Sequence, residues 1–179
     1  MPETLFDDWP RYLALAYDAH QNHARTEKGR FRRHDGQTPY FVHPLWASTT
    51  LMHEQVIEVE VRWIGARALL LHDVKEDTTL EIPDWVPPEI VRWVDEMTFV
   101  SFEDEVDRIW GRHRFTVLLK LYDKVSNLID SSWMESRLPE YRQKYVDFTG
   151  RLAGSVLNGW GELAIVKFAN AVCDGWKEV

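Results

Sequence analysis

Ala68-Leu69-Leu70-Leu71-His72-Asp73-Val74-Lys75-Glu76-Asp77-Thr78-Thr79 is the stretch from which the fold of this chain is read. Four apolar residues run directly into an adjacent His-Asp pair, and a Glu-Asp pair begins three residues after that Asp. Ionisable groups crowded this closely disfavour one another's charged forms, and they lose hydration when buried. A divalent cation removes most of that difficulty, because imidazole nitrogen and carboxylate oxygen both suit Mn, Fe or Zn. The plainer reading is a helix that ends at His72 or Asp73 and runs into a solvated acidic turn. The residues around the stretch decide between the two.

Upstream, Val59, Ile64, Ala68 and Leu71 recur at helical spacing, so a helix from about Glu58 to His72 delivers the His-Asp pair at its C-terminal end. Before it, Pro39-Tyr40-Phe41-Val42-His43-Pro44 opens another helix, continued through Leu45 and Leu51. The chain begins with a helical pattern over residues 5 to 24, marked by Trp9, Leu13, Ala16, Tyr17 and His20. Between the first two helices lies the only strongly cationic segment, residues 25 to 38, read as a loop. On charge alone it is a solvated surface loop before it is anything else. Downstream, Pro83, Pro87 and Pro88 break the chain, and Ile90, Val91 and Val94 mark a short helix from about Pro88 to Met97. Residues 102 to 113 are a weaker helical candidate. Phe115, Leu118, Leu121, Val125 and Leu128 make a helix from Arg114 to Ile129 that carries Asp123 and Asn127. Two closing helices over residues 139 to 176 break near Asn158-Gly159-Trp160-Gly161. No strand alternation stands out, so the expected class is all-α, a compact helical bundle.

Bulk properties narrow the function. At 179 residues the chain is expected to form one domain over 1–179, its motifs between about 5 and 130. With 45% hydrophobic and 13% aromatic residues, nine of them tryptophan, it can bury a substantial core. A formal net charge of −8 argues against non-specific nucleic-acid binding. The single Cys173 excludes an intramolecular disulfide and a cysteine-rich zinc site. No apolar run reaches membrane-spanning length and no signal-peptide pattern opens the chain, so a cytoplasmic protein without membrane partners is expected.

Three groups on apolar helices then need a reason: His43, His72 with Asp73, and Asp123. Two imidazoles and two carboxylates converging on one cation would leave positions open for water, the pattern of a catalytic rather than a structural site.

In order along the chain come Ala16-Tyr17-Asp18-Ala19-His20, the basic loop and Gly36-Gln37-Thr38-Pro39-Tyr40-Phe41-Val42-His43-Pro44. Leu70 to Thr78 and Leu119-Lys120-Leu121-Tyr122-Asp123-Lys124-Val125-Ser126-Asn127-Leu128 follow. Together these resemble the HD-domain phosphohydrolase superfamily, and within it the alarmone hydrolases of the RelA/SpoT type and their small stand-alone counterparts. The resemblance implies an all-helical HD-domain bundle with one divalent ion, usually manganese, held by His43, His72, Asp73 and Asp123. It implies removal of pyrophosphate from the 3′ position of ppGpp or pppGpp. Glu76 and Asp77 match the pair that positions or activates the attacking water. Arg32 and Arg33 match the phosphate-holding loop, and Asn127 matches a residue near the nucleotide. Lys75, Tyr122 and Ser126 depart from the family, which has an apolar residue, alanine, and His or Tyr there.

Three functions stay open on these residues. The first is a metal-dependent alarmone 3′-pyrophosphohydrolase. The second is an HD-type hydrolase of another nucleotide, a dNTP or a nicotinamide dinucleotide phosphate. The third is a catalytically idle nucleotide-binding module.

Overall fold

The computed structural model describes residues 7–26, 29–32, 36–130, 134–135 and 137–177. Every regular element among them is helical; the only β pairing is two isolated antiparallel bridges, Ala24 with Thr78 and Phe31 with Pro39. The all-α class expected from the sequence is the class observed. The chain divides into two compact units, Met1–Thr98 and Phe99–Val179.

The first unit holds α1 (Trp9–Asn22), α2 (Val42–Met52), α3 (Val59–Leu71), the one-turn α4 (Val74–Asp77) and α5 (Pro88–Met97). Helix α3 is its centre. Ala66, Ala68, Leu69, Leu70 and Leu71 are completely buried, which is why this stretch reads as an unbroken apolar run. Helices α1, α2 and α5 all pack on it. Small residues allow α2 to approach closely: Ala47 and Ala66 are fully buried, and the Ser48 hydroxyl donates to the Ala66 carbonyl at 2.8 Å. Just past its midpoint, α3 presents Arg67, which ion-pairs with Asp8 and lies over the rings of Tyr12 and Trp63. Burial of aliphatic side chains on this scale contributes about 1.5–3 kcal/mol each.

The second unit holds α6 (Phe102–Arg108), a 3-10 turn at Ile109–Gly111, α7 (Arg114–Leu128), α8 (Pro139–Trp160) and α9 (Ala164–Lys177). Two of these starts are capped from the sequence: Ser101 accepts from the Asp104 N–H, and the His113 ring accepts from the Phe115 N–H. Such caps contribute roughly 1 kcal/mol each. Helix α7 is central here, with α8 and α9 packed on it. The expected break between the closing helices falls at Gly161, whose φ of +83° lies where a side chain would be strained. Leu128, Met134, Tyr145, Val146 and Cys173 form one buried cluster in this unit. Among the described residues no helix is long and apolar enough to cross a membrane.

Candidate functional site

Helix α3 ends at Leu71, so His72 and Asp73 occupy the turn into α4 rather than successive faces of a continuous helix. That places both side chains, 2% and 8% exposed, at the same end of the apolar run. The His72 Nδ1 lies 2.7 Å from the Leu69 carbonyl. A carbonyl only accepts, so Nδ1 carries the hydrogen, and in the neutral ring Nε2 presents the lone pair. Nε2 lies 3.1 Å from Asp73 Oδ1. His43, at the start of α2, reaches the same carboxylate: its Nε2 lies 3.5 Å from Asp73 Oδ2, and its ring centre is 5.2 Å from that of His72. A ligand nitrogen of His43 and one of His72 approach within 4.8 Å of each other. Three of the four expected ligands thus come together in the first unit.

Two residues outside the expected ligand set complete this cluster. Tyr40 donates its hydroxyl to Asp73 Oδ2 at 2.8 Å. Burial and the negative charge of Asp73 hold that hydroxyl's pKa well above the usual tyrosine value, so it stays a donor. His20, fully buried on α1, lies over the Tyr40 ring at 4.7 Å between centres. Burial pushes its pKa down to about 4; the Asp73 charge opposes this, while His72 and His43 reinforce it.

The acidic pair sits on α4, Glu76 exposed and Asp77 half-buried. This turn is held on both sides. The Arg25 N–H donates to the Asp77 carbonyl at 2.8 Å and the Thr79 N–H to the His23 carbonyl at 2.8 Å. Lys75, inside the acidic motif, ion-pairs with Asp95 on α5. The basic loop is less open than its composition suggests. The Arg32 N–H bonds the Thr38 carbonyl at 2.8 Å and the Tyr40 N–H bonds the Arg30 carbonyl at 2.9 Å. Arg32 is only 5% exposed, with its guanidinium 5.8 Å from the Tyr40 ring centre. Arg33 lies outside the described residues.

In the second unit Asp123 is 3% exposed on α7. Its Oδ2 contacts Lys120 Nζ at 2.7 Å and Lys124 Nζ at 3.0 Å, and its Oδ1 accepts from Asn127 Nδ2 at 3.3 Å. Asn127 also donates to the Tyr145 hydroxyl at 3.0 Å. Both lysines reach Glu105 of α6, Lys124 at 2.8 Å and Lys120 at 3.5 Å.

The donor chemistry fits a divalent ion. His72 Nε2, with its hydrogen on the other nitrogen, faces a carboxylate oxygen at hydrogen-bond distance. Two acceptors so placed need a cation or a proton between them. Imidazole nitrogens with carboxylate oxygens are the ligands that suit Mn, Fe and Zn. Sequence reading missed Tyr40, Glu105 and the two lysines. Lys120 and Lys124 stand three residues before and one after Asp123, a spacing that offered a signal; Glu105 carried none.

No family model and no curated protein sequence matches the chain. Among solved structures it is similar to one described as a metazoan ortholog of SpoT that hydrolyzes ppGpp and plays a role in starvation responses. The TM-score is 0.69, identity is 22%, and the match covers 98% of this chain and 97% of the other. The likeness is one of fold: this chain shares the all-helical architecture of that structure over nearly its whole length.

Proposed function

We propose that the chain is a metal-dependent 3′-pyrophosphohydrolase that converts ppGpp and pppGpp to GDP and GTP with release of pyrophosphate. It acts as a single cytoplasmic domain with one Mn2+ held by His43, His72, Asp73 and Asp123. The observation that carries this reading is the Asp73 carboxylate, with a histidine Nε2 beside each oxygen and the His72 tautomer set by a backbone carbonyl. His43, His72 and Asp123 each offer a buried donor of the kind that holds a metal ion. The solved structure of like fold is described as hydrolysing ppGpp, and that protein spans nearly the same length.

His43, His72, Asp73 and Asp123 would hold a divalent ion, which would supply acidification of bound water and offset the negative charge on the phosphoryl oxygens. Glu76 accepts the proton of the attacking water, and Asp77 next to it on the held turn orients that water. Arg32 binds phosphate through its guanidinium fork, which suits paired charge-assisted hydrogen bonds, and Arg33 shares that role. Asn127 makes a polar contact to the nucleotide. A local basic group is needed because a chain of net charge −8 repels a polyanionic substrate.

The test is a panel of phosphorylated nucleotides with Mn2+, resolved by chromatography. With ppGpp the expected products are GDP and intact pyrophosphate. Hydrolysis in 18O water places the label on pyrophosphate when attack is at phosphorus. Hydrolysis of dATP or a nicotinamide dinucleotide phosphate without action on ppGpp would replace this substrate. No turnover with any of the panel would leave a binding module.

A further inference from the structure

Asp123 belongs to a buried group of four charges in the second unit. Glu105, Lys120, Asp123 and Lys124 are 4%, 4%, 3% and 7% exposed. Both lysines contact the same oxygen, Asp123 Oδ2, and both contact Glu105, one through each of its carboxylate oxygens. Two positive and two negative groups make the set neutral. Without Glu105 the same site would be a carboxylate under two ammonium groups, and such a site repels a second cation.

We propose that Glu105 is a positioning residue for the metal site: it neutralises the lysine pair that clamps Asp123 Oδ2, so that this carboxylate can take a divalent cation. This rests on Asp123 being a metal ligand, as proposed above. Each lysine does two things at once. It holds one oxygen of Asp123 in place, and it carries a charge of the wrong sign for a metal neighbour. Glu105 cancels the second effect and leaves the first intact. Groups standing behind metal ligands commonly alter affinity by about 10- to 100-fold.

Two variants of opposite sign test this, with Mn2+ affinity of the full chain read by competition against a fluorescent chelator. Glu105→Gln leaves the group with one excess positive charge and is expected to weaken Mn2+ binding about 10- to 100-fold. Lys124→Met removes a positive charge while Lys120 stays on Oδ2, and is expected to tighten binding by roughly threefold or more. A purely structural role moves both variants in one direction or neither. An unchanged affinity in Glu105→Gln, or a weakened one in Lys124→Met, overturns the proposal, and either variant decides alone if the other does not fold. Wild-type chain that binds no Mn2+ overturns the metal reading itself, a result distinct from wild-type binding with indifferent variants.

Discussion

The Tyr40 hydroxyl donates to Asp73 Oδ2 at 2.8 Å, tying the segment before α2 to the turn between α3 and α4 across 33 residues. The same oxygen lies 3.5 Å from His43 Nε2. Tyr40 therefore sets the rotation of a carboxylate on which two imidazoles converge. Tyr40→Phe keeps the ring and its contact with His20 but removes the donor. It is expected to weaken Mn2+ binding by about 10- to 100-fold. It should also cost stability of about 1.5–3 kcal/mol, as for a hydrogen bond to a charged group. Chelator competition and urea unfolding measure the two effects; wild-type affinity in the variant would make the bond incidental to the site.

His20 gives a pH dependence. Its pKa falls from 6.5 to about 4 on folding, so between those values the unfolded chain binds the proton and the folded chain does not. Its contribution is present above pH 6.5 and is lost as pH drops toward 4, at most about 3 kcal/mol for a shift of this size. In EDTA, urea unfolding of wild type and His20→Gln at pH 7, 5.5 and 4.5 should show a stability gap that narrows with acid. A gap constant over that range excludes His20 as the titrating group.

Much of this arrangement was legible because local chemistry and tertiary role coincide. Helix α5 runs from Pro88 to Met97 as expected, since proline favours the first turn and the apolar face is regular. The break at Gly161 was visible because a positive φ calls for glycine. The one-turn α4 was not resolved from the acidic turn, since four residues carry no periodicity. The pairing of residues 30–32 with 38–40 was hidden for a similar reason: two backbone bonds impose no pattern on side chains. His43, His72 and Asp73 stood out as ionisable residues on apolar elements. Glu105 did not, because it sits beside Glu103 and Asp104, and only folding separates it from them by burying it.

Arg32 separates substrate binding from metal binding. It is buried beside Tyr40, which removes the reading of this residue as a solvated loop charge. Loss of a charged hydrogen bond to phosphate is worth about 1.5–3 kcal/mol, or roughly 10- to 150-fold in KM. Arg32→Ala is expected to raise KM for ppGpp by that factor with Mn2+ content unchanged, the effect shrinking at high salt. Steady-state kinetics at two ionic strengths measures this. A KM equal to wild type at both would leave the guanidinium with a structural role only.

Glu76 separates the metal site from the chemistry. It lies on α4, three residues after Asp73, on a turn held by the Arg25 N–H on the Asp77 carbonyl and by the Lys75–Asp95 ion pair. Its carboxylate is exposed, whereas His43, His72 and Asp73 are buried, so it can meet water and substrate without being a ligand. Gln keeps the volume and a hydrogen-bonding carbonyl but cannot accept a proton at neutral pH. Glu76→Gln should therefore retain the wild-type melting temperature and Mn2+ content while kcat falls about 100- to 10,000-fold, as for loss of general-base assistance. KM should change little, because the phosphate contacts lie elsewhere. A solvated turn residue would instead tolerate the change in every measurement. Near-wild-type turnover in metal-loaded Glu76→Gln would remove Glu76 from the mechanism and leave the His43, His72, Asp73 and Asp123 assignment standing.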